Sequence, residues 1–60
     1  MKFEIVIRTG GLSEDEVADL RRRARMQALE LRISHPDAQI FLIEEERKEK
    51  GEKLEIRRME

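Results

Sequence analysis

SEDEVADLRRRARMQALELRI, residues 13–33, decides the fold, because it reads as one long helix uninterrupted by glycine or proline. Its start is specified several times over. Ser13 stands in the capping position, Glu16 is placed to reach back to the Ser13 amide, and Leu12 and Val17 can close a hydrophobic staple across the cap. Glu14, Asp15, Glu16 and Asp19 put negative charge where the helix dipole favours it. Pro36 disfavours helical geometry in the residue before it, so the helix should end near Ile33 or Ser34. At about 100° per residue, Val17, Leu20, Ala24, Ala28 and Leu31 share one face, and Met26, Leu29 and Ile33 lie nearly opposite. A small monomeric domain buries one such stripe. The second calls for a partner.

Upstream, residues 2–8 alternate: Phe3, Ile5 and Ile7 point one way, and Lys2, Glu4, Val6 and Arg8 the other. That is the period of a half-buried strand, and Gly10 and Gly11 turn the chain from it into the helix. Downstream, residues 39–47 form a second strand, rich in β-branched and aromatic side chains and apolar on both faces from Ile40 to Ile43. Lys48 to Gly51 reads as a four-residue turn into a third strand, about 52–59. That loop sets Ile43 opposite Ile56, Arg47 opposite Glu52 and Glu46 opposite Lys53, whereas a two-residue loop would set Glu49 against Glu52 and Lys48 against Lys53. In the preferred register Phe41, Ile43, Leu54 and Ile56 join Phe3, Ile5 and Ile7 under the helix. Val6, Ile40, Leu42 and Met59 are left on the far face.

The order strand, helix, strand, strand predicts one domain over residues 1–60, a two-layer α+β fold with one helix on a three-stranded sheet. A right-handed crossover makes the first two strands parallel. The third strand then slots between them, giving sheet order 1-3-2. Order 1-2-3 is the alternative, since a strand apolar on both faces also suits a central position.

Composition narrows function more than it identifies it. Sixty residues build a marginal core unless a disulfide, a metal or a second subunit helps. No cysteine is present, which excludes disulfides and thiolate metal sites. Charged residues make up 45% of the chain, well above the usual quarter, yet 13 basic side chains nearly cancel 14 acidic ones. Such neutrality gives no global attraction to nucleic acid or to an anionic membrane. The longest apolar run, Ile40 to Ile43, is too short to span a bilayer, and the N-terminal residues lack a signal peptide's apolar stretch. A soluble protein of cytoplasmic type is expected.

The run Arg21-Arg22-Arg23-Ala24-Arg25 is the sharpest functional candidate, since clustered arginines bind phosphates, and Arg21, Arg22, Arg25 and Arg32 could form a nucleic-acid contact. The helix wheel weakens this reading: Arg22 and Arg23 diverge by a full step, Asp19 can pair with both, and no Tyr or Trp is present to stack on bases. His35 has no second His or Cys to share a metal with, so it reads as a helix-end residue whose protonation would favour the helix C-terminus. Glu44, Glu45 and Glu46 alternate along a strand and lack the converging oxygens of a hard-cation site; Lys53 and Arg57 are their expected cross-strand partners. No catalytic constellation or phosphate loop is present, so no enzymatic activity, cofactor or small-molecule substrate is expected.

The capping box of Ser13 and Glu16, the Glu/Lys/Arg-rich surface and the lack of Cys, Trp and Tyr resemble a computationally designed α/β miniprotein of βαββ layout. The layout is also similar to the first half of a ferredoxin-like fold, whose missing helix and strand a second subunit could replace. Arg21 to Arg23, Met26 and His35 are less usual in designs and keep open a natural, ion-pair-rich domain. The leading expectation is a non-enzymatic scaffold that homodimerises through Met26, Leu29 and Ile33, through Ile40, Leu42 and Met59, or through a strand edge. A module that binds another protein through the same patches, or a nucleic-acid binder, are the alternatives.

Overall fold

The computed structural model describes residues 1–46 and 54–59. Strand β1 (Lys2–Arg8) leads to helix α1 (Glu14–Ser34), strand β2 (Gln39–Glu45) and strand β3 (Leu54–Arg58). One helix on a three-stranded mixed sheet makes a two-layer α+β fold. The chain leaves β1 through a turn in which the Leu12 N–H donates to the Thr9 carbonyl at 3.2 Å. Gly11, at φ +78°, supplies the left-handed residue that the third position of a type II turn requires. The capping box forms as the sequence implies: the Glu16 N–H donates to Ser13 Oγ, and the Ser13 N–H donates to Glu16 Oε1, both at 3.2 Å. At the other end His35 N–H donates to the Leu31 carbonyl, and a tight turn through Pro36 and Asp37 feeds β2.

The sheet order is β2-β1-β3, which corrects both expected orders, 1-3-2 and 1-2-3. β1 is the central strand, parallel to β2 and antiparallel to β3, and β2 and β3 are the two edges. Burial gives the main reason: Phe3, Ile5, Val6 and Ile7 of β1 are all buried, on both faces of the strand, as a central position requires, and charge pairing agrees with it. The expected hairpin register, with Ile43 opposite Ile56, also sets Glu44 directly against Glu55, a like-charge pair. The observed register instead pairs Glu4 with Arg57 and Arg8 with Glu45, and stacks Ile5 on Ile56 and Ile7 on Leu54. The expected turn at Lys48 to Gly51, and the pairings that involve Arg47, Glu52 and Lys53, fall outside the described residues.

Parallel pairing to β1 also reverses the faces of β2. Ile40 pairs with Phe3 and Leu42 with Ile5, so both lie on the helix side. Phe41 and Ile43 pair with Glu4 and Val6 and lie on the face away from the helix, the opposite of the expected assignment. The core consists of Ile5, Ile7, Leu20 and Ala24, with Leu12, Ala28, Leu31, Ile40 and Leu54 packed around it. The first helical stripe is therefore the buried one.

Candidate interaction surface

Eight large apolar side chains, Met1, Met26, Leu29, Ile33, Phe41, Leu42, Ile56 and Met59, are exposed by 41 to 82%. They outnumber the six buried apolar residues, so uncovered apolar surface is the main chemical feature of the molecule. Two regions carry most of it. On α1, Met26, Leu29 and Ile33 project away from the sheet, one or two turns apart, with Ile33 the most exposed at 82%. On β2, Phe41 and Leu42 are each about half exposed on opposite faces of the same strand. Met59 joins Phe41 and Ile43 around an open concavity completed by Lys2, Glu4 and Leu42. The six residues expected from sequence at an interface thus fall in separate places: Met26, Leu29 and Ile33 on the helix, Ile40 and Leu42 on the helix side of β2, and Met59 beside the far face.

The arginines of α1 are placed by their partners. Arg21 makes a two-pronged contact with Glu44, Nε to Oε1 at 2.5 Å and Nη2 to Oε2 at 3.1 Å. That contact fixes one flank of the helix above β2. Arg25 and Arg32, four and eleven residues on, lie on the same flank. Both are exposed and make no hydrogen bond or ion pair among the described residues. Arg22 and Arg23 diverge from that flank and pair with Asp19 at 3.5 and 3.1 Å. The four arginines expected at a nucleic-acid contact therefore do not converge: Arg21, Arg25 and Arg32 share a flank, and Arg22 does not.

On the face away from the helix, Arg8 reaches across β1 between Glu55 of β3, at 3.1 Å, and Glu45 of β2, whose oxygen is 3.8 Å from Nε. Arg57 closes a pair with Glu55 in its own strand. These charges flank Val6, which is only 1% exposed although no helix covers that face. They also correct the expected partners: Glu44 pairs with Arg21 and Arg57 with Glu55, while Lys53 lies outside the described residues. Hydrogen bonds from Arg21 and Arg57 hold the Glu44 and Glu55 carboxyls below their ordinary 4.5. A carboxyl lowered in the folded state contributes stability that is fully present above 4.5 and lost as pH falls through the lowered value. The melting temperature should accordingly hold from pH 7 to about 4.5 and fall below it. Glu44→Gln should reduce that fall, and equal acid sensitivity in the variant and the parent would show that the Arg21 contact contributes nothing.

His35 caps the helix end half-buried, with its ring 5.2 Å from that of Phe3, so it serves as a packing residue at the junction of α1 and β2. No group of three His, Asp or Glu side chains converges as a metal site among the described residues. No helix among them is long and apolar enough to cross a membrane. Comparison with protein-family models, with curated proteins and with solved structures finds no match.

Proposed function

We propose that this chain is a non-catalytic structural scaffold that self-associates as a homodimer, with a sequence style in keeping with a designed origin. One observation carries the reading: the exposed apolar side chains outnumber the buried ones in a domain that has no cysteine with which to staple its small core. A second subunit would cover that surface and add stability by mass action. The arginine arrangement supports this reading over a nucleic-acid contact, because Arg21, Arg22 and Arg23 are engaged by Glu44 and Asp19 within the chain. Light scattering coupled to size exclusion tests it. The expected mass is twice 7.2 kDa at high micromolar concentration, shifting toward 7.2 kDa on dilution. A monomer throughout that range would remove the proposal.

A further inference from the structure

β2 presents a conflict between sequence and position. Ile40 to Ile43 is apolar on both faces, the pattern of an interior strand, yet β2 lies at the edge of the sheet. Edge strands usually carry charges, proline or a bulge that discourage pairing with another chain. β3, the other edge, has them: Glu55, Arg57 and Arg58 occupy three of its five positions. The middle of β2 has none.

We propose that two copies of this chain join edge to edge through β2, antiparallel about Leu42, so that β2 becomes an interior strand of one continuous sheet, β3-β1-β2-β2-β1-β3. The inference rests on the self-association proposed above and gives its geometry. The backbone is prepared for this contact. Gln39 N–H donates to the Met1 carbonyl and Thr9 N–H to the Glu45 carbonyl, so the odd-numbered residues of β2 address β1. Ile40, Leu42 and Glu44 therefore turn their N–H and C=O groups to the open edge. Antiparallel pairing about Leu42 engages all of them, in about six hydrogen bonds.

Side chains select the same register. It sets Leu42 against its own copy on the helix side and Phe41 against Ile43 of the second copy on the far face, with Ile40 opposite Glu44 and Gln39 opposite Glu45. No like charges are opposed. Sliding the strands by two residues one way sets Glu44, Glu45 and Glu46 all against large apolar residues, Leu42, Phe41 and Ile40, where the register about Leu42 does so only for Glu44, and the other way faces Asp37 with Glu45. The helix flank adds charge complementarity. Glu44 and Glu46 of the second copy arrive opposite Ile40 and Ala38, beneath the C-terminal half of α1, where Arg32 projects with no partner among the described residues. Because α1 packs over β1 and β2, the two helices would stand about 10 Å apart across the two-fold axis, a helix-packing distance. Arg25, nearest the axis, faces its own copy there, the one like-charge approach in this arrangement, and as an exposed side chain it can turn to solvent.

Leu42→Lys tests the geometry, since it opposes two ammonium groups at the axis and replaces a side chain already 46% exposed in the single chain. Association should weaken more than tenfold with an unchanged circular dichroism spectrum, while Leu29→Lys should leave the dimer intact. Amide exchange on the parent protein gives an independent readout: Ile40, Leu42 and Glu44 should be protected at high concentration and exchange faster on dilution, with Ile56, on the outer edge of β3, fast throughout. Should Leu42→Lys fail to fold, Leu42→Cys replaces it. The chain has no other cysteine, and the paired Cα atoms would lie about 5.5 Å apart, within disulfide range. Leu42→Cys should then link into dimers under mild oxidation far faster than Leu29→Cys. If the parent dimerises but Leu42→Lys does so equally, with fast amides at 40, 42 and 44, this geometry is overturned while self-association stands and moves to Met26, Leu29 and Ile33. A monomeric parent overturns both.

Discussion

Ile5→Ala should leave this protein largely unfolded at 25 °C. Ile5 is fully buried on the central strand, with Leu42 and Ile56 beside it in the sheet and Leu20 and Ala24 in the same core cluster. Truncating such a residue costs about 2–5 kcal/mol, because the removed methyl groups lose their transfer free energy and the cavity closes only in part. A single core in a chain of this length supplies only about 3–5 kcal/mol in total, so the loss is comparable to the whole. Urea unfolding followed by circular dichroism checks it, at a concentration low enough that association adds little stability. The contrast is Ile33→Ala, at a site 82% exposed, where the change should stay within about 0.5 kcal/mol. Equal midpoints for the two variants would show that the core is not where the structure places it.

The second large effect comes from adding atoms. Ala24 has no exposed surface and belongs to the same cluster as Ile5, Ile7 and Leu20, so the helix backbone lies close to β1 at that turn. Leucine there should cost about 1–3 kcal/mol, since the extra volume has to be met by lifting α1 or by moving side chains off their rotamers. Alanine and leucine have similar helix propensities, so a loss of stability would report packing and not the helix itself. Ala18→Leu, on an exposed position of the same helix, is the control and should be nearly neutral. Thermal melts of the pair separate the two causes. If Ala24→Leu melts with the parent, the helix has room above the sheet that the structure does not contain.

Much of the molecule was legible in the chain because it depends on neighbours in sequence. The capping box of Ser13 and Glu16, the turn before it, and the burial of Leu20 and Ala24 against the exposure of Met26, Leu29 and Ile33 follow from local spacing alone. The alternation of Phe3, Ile5 and Ile7 also announced the helix-facing side of β1. The candidate surface was legible in part. Periodicity reveals the outer stripe of α1 and the double-faced apolar run of β2, but the expected hairpin gives the two faces of β2 the wrong way round. No local signal could correct that, because moving a strand to a different neighbour reassigns every side chain on it. Parallel pairing to β1, in place of a hairpin with β3, is what turns Ile40 and Leu42 toward the helix and Phe41 and Ile43 away from it.

The sequence by itself determined the elements, their order and the buried stripe of the helix, since capping, turn chemistry and periodicity act within a few residues. Tertiary structure alone decided which strand lies in the centre. Phe3, Ile5, Val6 and Ile7 are buried on both faces of β1 with a strand docked on either side of it, and pairs between residues far apart in the chain accompany that docking, with Arg8 set between Glu45 and Glu55, and Glu4 opposite Arg57. These pairs form only once both edges have docked on β1, so nothing in the local pattern foretells them. The same docking leaves an interior-type strand at the edge of the sheet, with its outward N–H and C=O groups unused among the described residues.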